Sequence, residues 1–179
     1  FYSKKKKIDF CITPFHEKFV NQLKNFVSFF KIASGDLNYY PLLDEVKKSN
    51  KHVLLSTGMS SYDDIKNAIK KLNRNKLAIL HCIASYPTPP EAVNLQNIRY
   101  LKDEFNLPTG FSDHTAGIEA SFYSIFFGSI IIEKHFLPSN NTKRVADQLL
   151  SITPKQMKEL KKKIDTYFPM IGSKKTDIL

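Results

Sequence analysis

Two cysteines, Cys11 and Cys82, are all that this 179-residue chain contains, each inside an apolar run. That excludes a disulfide-stapled scaffold and fits buried free thiols in a reducing compartment, so a cytoplasmic protein is expected. No apolar run approaches the roughly 18 residues of a membrane-spanning helix. The opening FYSKKKKIDF also lacks the apolar core of a signal peptide. Acidic residues are scarce, 17 against 27 basic ones, for a formal net charge of +10. Such an excess suits nucleic acid, a membrane surface or an anionic small substrate. Much of it is packed into Lys4 to Lys7 and Lys161 to Lys163, and no basic-and-aromatic nucleic-acid motif is present. A solvated lysine surface is the better reading, with neither nucleic acid nor membrane as a partner.

What the chain does have is a repeating alternation of short apolar runs and helical periodicity. Ile8 to Thr13 reads as a strand stopped by Pro14, followed by a helix over about 16 to 28 with Phe19, Val20, Leu23, Phe26 and Val27 as its apolar positions. Phe29 to Ser34 is the second strand, and a helix over 40 to 49 buries Leu42, Leu43 and Val46. His52 to Ser56 is the third. Ser60 or Ser61 caps a helix carrying Ile65, Ala68, Ile69 and Leu72, and Lys76 to Cys82 is the fourth strand. Three prolines keep Tyr86 to Pro90 out of helix and inner strand. A helix over 94 to 105, a fifth strand reaching Phe111, a helix over 117 to 127 and a sixth strand after Gly128-Ser129 follow. The last helix spans 152 to 167, capped by Thr153 with Pro154 at its first position.

Strands each followed by a helix require a parallel sheet with helical crossovers. A dinucleotide-binding sheet needs a Gly-rich turn after its first strand, and Thr13-Pro14-Phe15 is not one. Polar residues instead stand at every strand's C-terminal end: Thr13, Ser34, Ser56, Tyr86, His114 and His135. That spread is expected of a TIM (β/α)8-type barrel, here partial, with about six βα units. Six strands leave apolar edges open, so further barrel material is expected upstream or from another chain.

Two stretches carry the chemistry, Gly110-Phe111-Ser112-Asp113-His114-Thr115 and Ile130-Ile131-Ile132-Glu133-Lys134-His135-Phe136. Side chains alternate along a strand, so Glu133 and His135 face the same way. The histidines lie 21 residues apart, the spacing of successive strand ends rather than of one helix. Each alone is more often a structural histidine; together they suggest a metal-binding barrel end. A metal-dependent aldolase on the same barrel would share that pair.

The strings TPF, FKIASGD, LLSTGMS, LHCIASYPTPPEAVNL, GFSDHTAGIEA and IIIEKHF, in this order and register, resemble the sialic acid synthase family, over about residues 8 to 175. That family includes N-acetylneuraminate, legionaminate and pseudaminate synthases, and the ASGD, STGM and YPTP forms are nearer the first two. The resemblance implies strands three to eight of a TIM barrel, with the first two βα units and a C-terminal antifreeze-like domain absent from residues 1 to 179. In the full-length form a domain-swapped homodimer is implied. The implied reaction joins phosphoenolpyruvate to an N-acylated sugar aldehyde, with Mn²⁺ or Mg²⁺, giving a nine-carbon 2-keto sugar acid and phosphate.

Carried over by matching motif, His114 and His135 are the implied metal ligands and Glu133 the carboxylate at the reacting centre. Lys31 is implied in both catalysis and phosphoenolpyruvate binding, with Thr13, Ser34, Ser56 and Tyr86 completing the substrate shell. Asp147 is implied as a sugar contact. A cation with short hydroxyl donors is what a compact trianion needs. His81 and Asp113 are expected to support the site from behind. Where the family has Gly-Pro-Asp, this chain has Val145-Ala146-Asp147; Ala84 replaces a Ser or Asn, and His16 the usual Asp. These departures leave a second expectation open: a non-catalytic remnant that binds an anionic ligand or a partner chain.

Overall fold

In the computed structural model, residues 2–138 and 147–172 are described. Val145 and Ala146, two of the departures from the family pattern, lie outside them. Six strands, β1 (Cys11–Ile12), β2 (Phe29–Ile32), β3 (His52–Ser56), β4 (Leu77–Cys82), β5 (Thr109–Asp113) and β6 (Ile132–Lys134), form one sheet in sequence order. Every neighbouring pair is parallel. A doubly wound sheet reverses its strand order at a switch point; this one never does. The fold is a parallel α/β half-barrel.

The helices are α1 (Tyr2–Lys5), α2 (Glu17–Leu23), α3 (Tyr40–Lys48), α4 (Tyr62–Lys71), α5 (Gln96–Phe105), α6 (Glu119–Ser124) and α7 (Pro154–Tyr167). Their starts follow from local chemistry. Ser61 caps α4 in a reciprocal box with Asp64, and Thr153 does the same for α7 with Gln156, ahead of Pro154. α3 buries Leu42, Leu43 and Val46 as its periodicity requires. These meet Phe30, Ile32, Leu55 and Ile79 from β2 to β4 in the main core, where truncating one buried leucine to alanine costs about 2–5 kcal/mol.

The middle strands are buried on both faces, as parallel strands under helices must be: every residue of β4 and β5 is buried. Gly110 is required by this closeness. A Cβ there would sit 2.5 Å from the carbonyl oxygen of Ile131 and 2.6 Å from Leu80, so β5 and the run into β6 approach only because the side chain is missing.

Two expectations fail at the β1 edge. The strand is two residues long rather than six, because only Cys11 and Ile12 have register partners on β2. α2 stops at Leu23 instead of continuing to about 28. Phe19 and Phe26, expected in its buried face, are exposed. At the far edge Ile130 and Phe136 are exposed too. Both rims of the half-barrel therefore present apolar side chains. No helix among the described residues is long and apolar enough to cross a membrane.

Candidate active site

The C-terminal strand ends open into one cavity of about 580 Å³. Thr13 follows β1; Lys31 lies in β2 with Ser34 just beyond it; Ser56 ends β3. Tyr86 stands in the loop after β4, His114 follows β5, and Glu133 and His135 come from the end of β6. All eight line the cavity. Asp147 does not line it, but its carboxylate lies 3.5 Å from Nδ1 of His135.

The charges are arranged around Lys31. Its side chain is nearly buried, and its Nζ lies 3.3 Å from the Glu133 carboxylate, which is itself partly exposed. Nearby hydroxyls differ in how they are used. Ser34 Oγ accepts the Gly58 amide at 3.0 Å, tying the β2 and β3 ends together. Ser56 is 1% exposed and its Oγ has no hydrogen-bond partner among the described residues. An orphaned buried hydroxyl costs about 1–3 kcal/mol. This one faces a cavity that Lys31 also lines, with its donor capacity unused.

His114 is fixed from behind: its Nδ1 lies 2.8 Å from the Ile83 carbonyl and 3.7 Å from Cys82 Sγ. Donation to that carbonyl sets the proton on Nδ1. The His135 ring stands 5.4 Å away at 68°, with its own Nδ1 toward Asp147. The Tyr86 ring lies 4.2 Å from His114. Burial, the largest influence, pulls the His114 imidazole down, but the bonds from Cys82 and Ile83 outweigh it and leave it raised. Burial and then the neighbouring His114 lower His135, and burial raises the Tyr86 phenol.

Among the described residues neither histidine Nε2 has a hydrogen-bond partner; His114 has its Nδ1 held by the Ile83 carbonyl, and His135 turns its Nδ1 toward Asp147 at 3.5 Å. That is how a metal-ligating imidazole is presented. No group of three or more His, Cys, Asp or Glu among the described residues is placed to hold a metal. A cation here would rest on these two nitrogens plus oxygens from ligand or water, a set that suits a borderline-to-hard divalent ion.

Several lining residues escaped the sequence reading. Ser112 lines the cavity; its position two before His114 puts it on the same strand face, so period two was signal enough. Cys82 lines it likewise, although its apolar run reads only as core. Phe15 and Met59 stand on the rim, 72% and 77% exposed, and Met59 holds a positive φ of 55°. Ala84 lines the wall and offers no side-chain donor. His16 caps α2 beside Glu17, away from the cavity.

His81, expected behind the site, faces away from the cavity. Its Nε2 bonds the Val93 carbonyl at 2.7 Å and its ring stacks on Phe111. Strand alternation explains it, since Cys82 next door faces in. Asp113 is 0% exposed and directly precedes His114.

Cation, hydroxyls and imidazoles gather at the C-terminal strand ends of this parallel α/β half-barrel, the face on which β/α-barrel proteins carry their ligand sites. A family model described as the NeuB family matches residues 1–176, and the chain belongs to that family. It is 47% identical over 176 residues to an uncharacterised protein of Methanocaldococcus jannaschii, covering 96% of this chain and 52% of that protein. It is 38% identical over 165 residues to the N,N'-diacetyllegionaminic acid synthase of Campylobacter jejuni, covering 89% and 49%. Among solved structures, the N-acetylneuraminic acid (sialic acid) synthetase of Leptospira borgpetersenii superposes with a TM-score of 0.93 at 33% identity, over 99% of this chain and 63% of that one. The chain spans about half the length of the curated relatives it matches.

Proposed function

We propose that the protein condenses phosphoenolpyruvate with an N-acylated sugar aldehyde, N-acetylmannosamine or a bacterial analogue, to a nine-carbon 2-keto sugar acid and phosphate. The observation that carries this reading is the placement of Lys31 and the orphaned Ser56 hydroxyl in one cavity with His114, Glu133 and His135.

The phosphoenolpyruvate anion docks against Lys31, with Ser56 donating the hydrogen bond it does not make to any described residue, and Thr13, Ser34 and Ser112 around it. The aldehyde sits toward Tyr86 and the two histidines. C3 of the enol attacks the aldehyde carbon, forming the new C–C bond and leaving positive charge at C2. The carbonyl π pair moves to the aldehyde oxygen, which takes up the proton released by the water added at C2. Glu133, already facing Lys31, is placed to stabilise that charge or to take a proton from the water that adds at C2. The tetrahedral centre then expels phosphate and becomes the ketone. His114 and His135 would hold Mn²⁺ or Mg²⁺ through Nε2, and such an ion supplies Lewis-acid polarisation of the aldehyde oxygen. The closed form of this site is a (β/α)8 barrel, with a homodimer in the full-length protein as part of the same proposal.

Ala84 favours a second reading, in which the cavity binds an anion without turnover. The assay that separates them mixes the complete protein with phosphoenolpyruvate, N-acetylmannosamine or its dideoxy-diamino analogues, and Mn²⁺. Phosphate release that needs both sugar and metal, and is lost in His135→Ala, is expected. No release with any such sugar contradicts the condensation and leaves anion binding.

A further inference from the structure

The residues that precede the two cavity histidines are bonded to each other. Asp113 closes β5, Lys134 closes β6, and the register sets them side by side. Both are almost fully enclosed, the side chains 0% and 2% exposed, with Nζ 3.1 Å from the carboxylate. The Lys134 charge is not delivered to the cavity it borders, because Nζ also donates to the Thr115 carbonyl at 2.5 Å. Asp113 in turn accepts the Thr115 amide at 2.7 Å and the hydroxyl of Ser121 on α6. His114 is thus a single residue between two that are pinned, and His135 directly follows the lysine that pins them.

A buried ion pair is weak evidence of stability, since an apolar pair of the same volume often serves as well or better. Its position is more informative. Apart from the Thr115 amide bond within the β5 end, these bonds tie the β5 end to the β6 end or to α6. We propose that Asp113 and Lys134 form a positioning pair that fixes the distance and angle between His114 and His135, and with them the affinity for a divalent cation. This rests on the reading of those histidines as metal ligands.

The test measures Mn²⁺ affinity of the complete protein by electron paramagnetic resonance of the free ion, beside thermal unfolding. Asp113→Asn/Lys134→Met removes both charges together, so no unpaired charge is left buried, and Asn keeps an acceptor for the Thr115 amide. The double variant is expected to unfold near the temperature of the unaltered protein, yet bind Mn²⁺ about ten- to hundredfold more weakly, the range for residues behind metal ligands. Lys134→Arg, which keeps the charge, is expected to recover most of the affinity. Unaltered Mn²⁺ affinity in the folded double variant, with binding still lost in His135→Ala, overturns the positioning role alone. Mn²⁺ binding that is absent, or insensitive to His135→Ala, overturns the metal reading and the positioning role together.

Discussion

The ends of β5 and β6 carry two sets of polar side chains that are used in opposite ways. In the set covered by α6, Asp113 and Lys134 spend their bonding capacity on each other, on Thr115 and on Ser121. In the set lining the cavity, His114 holds its Nδ1 and His135 turns its own toward Asp147, while the Ser56 hydroxyl on β3, like the Thr115 hydroxyl on the covered side, is buried with no partner among the described residues. Polar groups that are fully satisfied hold the structure; those left with spare capacity at one place mark where a ligand is expected. Substitutions on the two sides should therefore separate stability from function.

The largest effect is expected on the covered side. Asp113→Ala leaves the Lys134 ammonium buried without its partner, and losing one member of such a pair costs about 3–5 kcal/mol, read from denaturant unfolding. A loss below about 1 kcal/mol would dissolve the contrast. Next comes Lys31→Met, which removes the cavity's cation. Phosphate release should fall roughly 10²–10³-fold, as when a preorganised charge clamp is lost. Stability should change little, because the Glu133 left behind is partly exposed.

Ser56→Ala should move the two readouts apart most clearly. Removing an unsatisfied buried hydroxyl does not destabilise the fold and stabilises it by up to ~1 kcal/mol, while KM for phosphoenolpyruvate rises about tenfold through one lost hydrogen bond. A drop in unfolding temperature would show that the hydroxyl has a structural partner after all.

The smallest effect is a pH dependence outside the cavity. Burial lowers the His81 pKa in the folded chain. Below the ordinary imidazole range the unfolded chain therefore binds a proton that the folded chain resists, and stability falls as pH falls from about 6.5. His81→Gln should flatten the acid side of the stability profile between about pH 5 and 7. An unchanged slope would assign it to other groups.

The six units and most of the cavity wall were legible in the sequence because each signal was local. Strand alternation put Glu133 and His135 on one face, a cap residue marked each of α4 and α7, and polar residues ended each apolar run. The Asp113–Lys134 pair was not legible. Its members sit on different strands, and their contact depends on a register that no periodicity encodes. The β1 edge was misread for the opposite reason. Phe19 and Phe26 keep helical spacing, but no element among the described residues covers them, so pattern without a packing partner gave too long a helix. His81 shows the limit of residue type alone: one step of strand alternation separates a cavity group from a helix-facing one.

The most direct measurement is calorimetric titration of phosphoenolpyruvate into the complete protein, with the Lys31→Met and Ser56→Ala variants alongside. One site per chain is expected, abolished by the first substitution and weakened about tenfold by the second, as for one lost hydrogen bond. Absence of binding, or equal binding by all three proteins, would contradict the assignment of the cavity as the phosphoenolpyruvate site.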